Sequence, residues 1–285
     1  MTLPYAEVIG DPVAQSKSPI IHRFWLERLG LAGAYRRLHV PVVELARYLD
    51  RRRCDPDWRG CNVTIPHKQA VLPLLDGIEG GADRIGAANI VVREGEALVG
   101  RNSDAPGFLE PLQPWLRQRH LLRTARILGT GGAARAVAHA LWQHGFTLVI
   151  LGRDEAKANA LADEFDRAQC FVAPFDQFAS PLTFDWGATE GRLDLLVNAT
   201  SLGMTGQPPL PIDFSHVPPG AIIYDIVYAP LETPLLAEAR ARGHPTVDGL
   251  AMLIGQARIA FRAFFGVDPP ADADSDAQLR ALLVR

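Results

Sequence analysis

Polar side chains recur in the first part of the chain at the points where short apolar runs end. They are Ser16 and Ser18 after the first run, Asn62, Thr64 and Lys68 after a later one, and Asn89, Asn102 and Asp104 around the last two. In open α/β sheets, ligands bind at the carboxyl ends of the strands, so we expect these side chains to converge. Serine, threonine and asparagine form neutral hydrogen bonds. The pattern therefore predicts a site for a small ligand rich in hydroxyl groups.

A glycine-rich turn, Gly129-Thr130-Gly131-Gly132-Ala133-Ala134, follows an apolar run that ends at Leu128. A helical pattern continues to about Gln143, and a second apolar run ends at Leu151. Between a strand and a helix, such glycines let the backbone approach a pyrophosphate, which the first N–H groups of the helix bind. The turn predicts a dinucleotide site formed by Gly129, Gly131, Gly132 and Ala133. A strand–helix turn without a ligand is the alternative.

The tip of the second strand indicates which dinucleotide binds. An NAD site usually places an acid there to bind the ribose 2′-hydroxyl, but this strand continues into Gly152-Arg153. Arg153 and Lys157 are four residues apart, so they share a face if a helix begins immediately, and such a pair can hold a 2′-phosphate. We therefore expect NADP rather than NAD. Two alternatives stay open: Asp154 or Glu155 supplies the acid, or this is an ordinary solvated helix face.

The elements that must position these residues follow from the apolar runs. Short runs alternate with helix-like stretches, which is typical of α/β folds with mostly parallel strands. Ser18 is the expected N-cap of the first helix, with Pro19 at its first position. Three prolines, Pro106, Pro111 and Pro114, interrupt a helical stretch that we interpret as a linker. The expected strands are 6–9, 37–40, 61–65, a hairpin of 90–92 with 97–99, and then 127–128, 148–151, 195–197 and 222–225.

The helical pattern of residues 250–265 carries apolar residues all round, which predicts a buried helix that packs back against the first part of the chain. A length of 285 residues suggests two domains. The serine hydrolases are disfavoured, because no Gly-x-Ser-x-Gly elbow occurs.

Composition excludes several further classes. The net charge of −3 gives no electrostatic reason to expect nucleic acid or an anionic membrane as a partner. Three cysteines, Cys54, Cys61 and Cys170, share no metal-ligand spacing, so neither a disulfide framework nor a metal site is expected. No apolar run approaches the roughly 18 residues of a membrane span. Because the first residues lack the features of a signal peptide, we expect a cytoplasmic protein.

Several short motifs follow one another along the chain between residue 16 and residue 256. They are Ser16-Lys17-Ser18-Pro19, Asn62-Val63-Thr64-Ile65-Pro66-His67-Lys68, Gly86-Ala87-Ala88-Asn89 and Asn102-Ser103-Asp104, followed by Gly129 to Ala134, Asn198-Ala199-Thr200-Ser201, Asp225 to Tyr228, and Asp248-Gly249-Leu250 through Gln256. In these motifs the chain resembles the shikimate dehydrogenases, from residue 5 to about residue 265. The resemblance implies an oxidoreductase of aromatic amino-acid biosynthesis that reversibly reduces 3-dehydroshikimate to shikimate with NADPH.

The resemblance also assigns roles to residues. It implies a catalytic pair of Lys68 and Asp104, in which the lysine gives a proton to the developing alkoxide and the carboxylate stabilises the ammonium. The implied substrate ligands are Ser16, Ser18, Thr64, Asn89, Tyr228 and Gln256, and the implied cofactor set gains Thr200, Ile226 and Gly249. The family fold implies a substrate domain of residues 1–104 completed by helices in 250–285, with a Rossmann-like NADP domain of residues 105–249 inserted between.

Other interpretations remain open at this point. The nearest is a quinate or dual quinate/shikimate dehydrogenase that uses NAD, or a relative that acts on an amino-substituted analogue. A sensor that kept the fold without turnover belongs to a different class. Each site residue also has an alternative without a ligand. Lys68 and Asp104 could form a structural ion pair, Tyr228 could be a core aromatic residue, and Gln256 could bond to a backbone carbonyl. We expect a small-molecule substrate and a monomer or homodimer.

Overall fold

The computed structural model describes residues 3–284. Two compact units make up the chain, and the first of them is discontinuous in sequence. It comprises Met1–Gly107 and Leu253–Arg285, whereas the second comprises Phe108–Met252. Each unit contains one six-stranded sheet, so the expected α/β class is confirmed.

The first unit is built on a mixed sheet in the order β2-β1-β3-β5-β6-β4. Strands β1, β2 and β3 are parallel, whereas β5 pairs antiparallel with both β3 and β6. The expected hairpin is therefore confirmed as β5–β6. The strands are β1 (Tyr5–Gly10), β2 (Ala34–His39), β3 (Trp58–Val63), β4 (Gly77–Ile78), β5 (Ile90–Glu94) and β6 (Ala97–Arg101).

Helices cover both faces of this sheet. Alternate residues of β1 point to opposite faces: Tyr5 and Ile9 belong to one apolar cluster, and Ala6 and Val8 to another. The first cluster includes residues of α2, and the second includes residues of α10. The helices of the first unit and its borders are α1 (Ser18–Arg28), α2 (Leu45–Arg53), α3 (His67–Ala70), α4 (Ala82–Ile85), α5 (Asp104–Leu109), α10 (Gly249–Phe265) and α11 (Ala273–Val284).

The second unit has a fully parallel sheet in the order β12-β11-β10-β7-β8-β9. Strand β10 is almost completely buried, as is typical of a central parallel strand: residues 195–197 form its apolar run, and the buried Asp194 is paired with Arg192. The strands are β7 (Leu122–Leu128), β8 (Thr147–Gly152), β9 (Cys170–Pro174), β10 (Arg192–Asn198), β11 (Ile222–Asp225) and β12 (Thr246–Val247). The helices are α6 (Gln113–Leu116), α7 (Gly132–Gln143), α8 (Glu155–Ala162) and α9 (Pro234–Ala241).

Short 3-10 turns complete the chain. They are Val42–Glu44, Leu72–Leu74, Glu110–Leu112, Asp176–Ala179 and Phe214–His216. No helix within residues 3–284 has the length and apolar character to cross a membrane.

The start of α1 differs from expectation by one residue. Lys17 is the N-cap, and Ser18 is already the first helical residue, so Pro19 occupies the second position. No side chain caps this helix. The Ser18 hydroxyl is therefore not used as a cap and remains available to the polar cluster beside it.

Candidate active site

Lys68 and Asp104 form a close pair in the first unit. Lys68 lies on α3, directly after β3, and Asp104 begins α5, directly after β6. The lysine Nζ donates to Asp104 Oδ2 at 2.5 Å, and the two side chains are 14% and 6% exposed. Asn89 Nδ2 donates to the other carboxylate oxygen at 2.9 Å. An ammonium is therefore held beside a carboxylate that is itself fixed, which suits a proton donor.

Backbone and side-chain bonds hold this pair in place. Asn89 Oδ1 accepts from the Ser103 backbone N–H at 2.7 Å, and Asn102 Oδ1 accepts from the Asp104 N–H at 3.0 Å. Asn89, Asn102, Ser103 and Asp104 are all at most 5% exposed. Because buried polar groups need partners, these bonds specify one arrangement of the loop after β6.

The serine end of the site follows β1. Ser16 and Ser18 are buried, and the Ser16 hydroxyl donates to Ser18 Oγ at 3.3 Å. Thr64 follows β3, and its N–H donates to the Ile9 carbonyl at 2.9 Å. Thr64 therefore lies beside the end of β1, the strand that Ser16 and Ser18 follow, and the convergence of the three hydroxyl groups stays a prediction.

Gln256 on α10 contacts Asn89, the residue that also donates to Asp104. Its Oε1 accepts from Asn89 Nδ2 at 3.5 Å, while its Nε2 donates to the Leu253 carbonyl at 2.8 Å. A backbone carbonyl thus does satisfy part of this amide, as one alternative predicted. A Cβ at Gly107 of α5 would lie 2.5 Å from the Gln256 backbone nitrogen, so α5 approaches α10 closely there.

The glycine turn of the second unit fits a dinucleotide pyrophosphate. Gly129 follows β7 with a φ of +120°, and a Cβ there would lie 2.8 Å from the Ala199 carbonyl oxygen. Gly131 is the N-cap of α7 and carries no capping side chain, so the helix N-terminus is left for a ligand. Gly132 and Ala133 form its first turn.

The expected Arg153–Lys157 helix face is wrong. Asp154 is the N-cap of α8 and accepts from the Lys157 N–H at 3.1 Å, so Arg153 lies outside the helix. The Lys157 ammonium contacts the Asp154 carboxylate at 3.3 Å and is largely exposed. Asp154 is therefore occupied as a helix cap.

Arg153 makes no hydrogen bond or ion pair with any of residues 3–284. It lines a groove of about 750 Å³ with Gly152, Arg167 and Phe171. An unpaired guanidinium at the tip of β8 suits the 2′-phosphate of NADP.

A buried network shapes the loop after β10. Asn198 Oδ1 accepts from both the N–H and the hydroxyl of Thr200, and Asn198 Nδ2 donates to Asp225 Oδ1 at 2.9 Å. Thr233 Oγ1 and the Val227 N–H also donate to the Asp225 carboxylate. Burial outweighs these three bonds and raises the pKa of Asp225 to about 6.

The remaining predicted residues of the second unit lie at the end of its sheet. Ile226 directly follows β11, and Tyr228 lies two residues farther and is half-buried. Gly249 begins α10, and a Cβ there would lie 2.5 Å from the carbonyl oxygens of Ile226 and Val227. Gly249 thus allows close backbone contact, which is a packing role independent of any ligand.

Tyr35, a buried residue bonded to Asn62 in the first unit, was not predicted from the sequence. The Tyr35 hydroxyl donates to Asn62 Oδ1 at 2.6 Å, and Asn62 Nδ2 donates to the Asn89 carbonyl at 3.3 Å. In the sequence, Tyr35 is an aromatic residue in a strand, which is typical of a core position. Asn62, two residues before Thr64, was the available signal.

Three family models match successive parts of the chain. They are "Shikimate dehydrogenase substrate binding domain" over residues 8–91, "Shikimate / quinate 5-dehydrogenase" over residues 117–184, and "Shikimate 5'-dehydrogenase C-terminal domain" over residues 249–277. A shikimate dehydrogenase (NADP(+)) from Sphingopyxis alaskensis is 50% identical over 99% of this chain and 97% of its own. The chain belongs to the shikimate dehydrogenase family. The resemblance seen in the motifs is thereby confirmed.

Solved members of the shikimate dehydrogenase family share this fold. Shikimate 5-dehydrogenase from Thermus thermophilus, solved with NADP(H) and shikimate, is 36% identical with a TM-score of 0.82, covering 99% of this chain and 100% of that chain. Quinate dehydrogenase from Corynebacterium glutamicum, solved with NAD, is 31% identical with a TM-score of 0.78, covering 99% of both chains. Solved structures of this fold thus include one with NADP(H) and shikimate and one with NAD, and the shikimate dehydrogenases have the higher identity to this chain.

Proposed function

We propose that this protein is an NADP-dependent shikimate dehydrogenase that reversibly reduces 3-dehydroshikimate to shikimate. The first unit binds the substrate and the second binds NADP. The contact of Lys68 Nζ with Asp104 Oδ2 is the observation on which this function rests, because carbonyl reduction needs a proton donor that is held in place. The 50% identity to an NADP-dependent shikimate dehydrogenase supports it independently.

The substrate is held by neutral donors around that pair. Ser16, Ser18 and Thr64 bind the carboxylate of the substrate through their hydroxyl groups, while Asn89 and Gln256 bind its ring hydroxyls, and Tyr228 adds a further contact. Hydroxyl and amide groups can orient such a ligand without adding a second charge to the site. Asp104 accepts from Lys68 and Asn89 at once, and so fixes where the ammonium points.

When bound, NADPH supplies a hydride to the carbonyl carbon of the substrate. Lys68 gives its proton to the carbonyl oxygen as negative charge develops there, and Asp104 stabilises the ammonium before transfer. In the reverse direction, Lys68 removes the hydroxyl proton. Gly129, Gly131, Gly132 and Ala133 hold the pyrophosphate, Arg153 binds the 2′-phosphate with Lys157 at the edge of the same site, and Thr200, Ile226 and Gly249 line the remaining cofactor surface.

The absorbance of reduced nicotinamide tests this function directly. Purified protein is given shikimate or quinate, each with NADP or NAD. We expect rapid reduction of NADP with shikimate and much slower reaction in the other three combinations. Turnover of quinate with NAD alone would instead favour a quinate dehydrogenase, and no turnover in any combination would contradict both.

Because the Lys68 site lies within a single chain, we propose a monomer or homodimer, which light scattering distinguishes.

A further inference from the structure

The hydroxyl group of Tyr35 begins a chain of hydrogen bonds that links β2, β3 and the residue before β5. Tyr35 on β2 is paired in register with Ala6, and Asn62 on β3 with Val8, so β1 lies between the two side chains. Tyr35 nevertheless reaches across β1 and donates to Asn62 Oδ1 at 2.6 Å. Asn62 Nδ2 then donates to the carbonyl of Asn89, which precedes β5.

The ring of Tyr35 is itself held rigidly. It stacks on the His22 ring with centroids 3.9 Å apart and planes within 5° of parallel, and Phe264 packs nearby at 6.3 Å. His22 is fully buried, and burial lowers its pKa to about 3, so the imidazole stays neutral. The Tyr35 ring is therefore packed among neutral aromatic side chains, while its hydroxyl is bonded to Asn62.

The Tyr35 hydroxyl and the Asn89 carbonyl together fix the Asn62 amide. A phenol can donate only its single proton, and here that proton goes to Asn62 Oδ1, which leaves Nδ2 to face the Asn89 carbonyl. Without that donor, Asn62 Oδ1 loses its partner and only the longer 3.3 Å bond from Nδ2 to the Asn89 carbonyl holds the side chain. The Ser18 side chain also interacts with the same hydroxyl.

We propose that the Tyr35 hydroxyl is a positioning group for substrate binding, which holds Asn62, Asn89 and Ser18 in the arrangement that the substrate requires. This inference rests on the proposed function, because Ser18 and Asn89 are its substrate ligands. Tyr35 itself touches neither Lys68 nor Asp104 through any bond described above. Its loss therefore weakens binding of shikimate more than it slows the chemical step.

The test compares Tyr35→Phe with a matched control, Tyr48→Phe. Both tyrosines are buried, and each hydroxyl makes a buried hydrogen bond, but Tyr48 donates to Glu7 Oε2 on the opposite face of the sheet. We expect both variants to lose similar thermal stability. Only Tyr35→Phe should raise the KM for shikimate, by about tenfold, with kcat reduced less than about threefold and the KM for NADP unchanged.

Calorimetric titration with shikimate alone gives the same comparison without turnover. If Tyr35→Phe does not fold, Asn62→Leu removes the next link of the chain and should show the same increase in the KM for shikimate. A KM in Tyr35→Phe equal to that of Tyr48→Phe, or an unaltered KM in Asn62→Leu, would overturn the inference while leaving the proposed function intact. Absence of shikimate turnover in the unaltered protein would overturn both.

Discussion

Lys68 is the residue whose replacement tests the proposed chemistry most directly. In Lys68→Ala we expect kcat to fall by at least about 10²-fold, because the proton donor is lost while the second unit, with its glycine turn, is untouched. NADP affinity measured by titration serves as the control and should stay close to the original value, whereas the melting temperature should fall, because the buried Asp104 loses its charged partner. Near-normal turnover would remove Lys68 from the mechanism and return the pair to a structural role.

Arg153 and Lys157 should differ in their effect on cofactor choice. Arg153 has no partner among the described residues, whereas the exposed Lys157 ammonium contacts Asp154. We expect Arg153→Ala to raise the KM for NADP about tenfold without altering that for NAD, since only NADP carries the 2′-phosphate. Lys157→Ala should raise the KM for NADP less than about threefold, because solvent screens an exposed charge. An equal increase in the KM for NADP in the two variants would contradict this difference and would indicate that both side chains bind the 2′-phosphate.

At the level of elements, the approach of α5 to α10 positions Gln256. A methyl group added at Gly107 would overlap the Gln256 backbone, so Gly107→Ala should destabilise the protein by about 1–3 kcal/mol and raise the KM for shikimate. Gly77→Ala is the control, because its new methyl group would meet only Val99 at 3.7 Å, an ordinary contact. Denaturant unfolding of both variants decides the matter, and equal stability would show that α5 can shift away without cost.

Elements whose apolar residues form a clear run or repeat, and are buried in the structure, could be predicted from the sequence. The other elements could not. Strands β7, β8, β10 and β11 of the parallel sheet each contain a short apolar run, and those runs predict them, although β7 and β10 begin several residues earlier than expected. Strand β9 was missed because it lies at the sheet edge, where Phe171 is 48% exposed, and β4 and β12 are only two residues long. The shared face of Arg153 and Lys157 required a helix that begins immediately, and α8 begins after Asp154 instead; aspartate is favoured both at the N-cap and in the first helical turn, so its presence does not fix the start.

The same limit applies to the site. The order of motifs is enough to select Lys68, Asp104 and Asn89, which the structure brings together in one hydrogen-bonded group. Tyr35 could not be selected, because its partner Asn62 lies across β1 and only the register of three strands brings the two side chains together. Contacts between strands distant in sequence leave no local pattern.

For the molecule as a whole, Asp225 should make stability depend on pH in an unusual direction. Its pKa is raised from 3.8 to about 6 by burial, so between about pH 4 and pH 6 the folded protein keeps a proton that the unfolded chain has lost. The stabilisation is complete below pH 4 and is lost as the pH rises through 6. Two pKa units correspond to about 3 kcal/mol at most.

Comparison with Asp225→Asn isolates this contribution. We expect the stability advantage of the original protein over the variant to shrink as the pH rises from 4 to about 7. Asp213→Asn should show the opposite sign, because bonds from Ser215 lower the pKa of Asp213, and its stabilisation is lost as the pH falls. Chemical denaturation from about pH 4 to pH 7 measures the Asp225 contribution, and denaturation below about pH 4 measures that of Asp213. A pH-independent difference for Asp225→Asn between pH 4 and pH 7 would contradict the raised pKa.

The division of the first unit between the two ends of the chain affects how the protein is made. Ribosomes synthesise proteins from the amino terminus, so the β1 face that Ala260 and Phe264 cover is complete long before those residues exist. Translation of the intervening Phe108–Met252 takes on the order of ten seconds. Throughout that interval we expect the apolar face of the nascent sheet to lack its cover, so this is the stage of synthesis at which chaperone binding should be strongest.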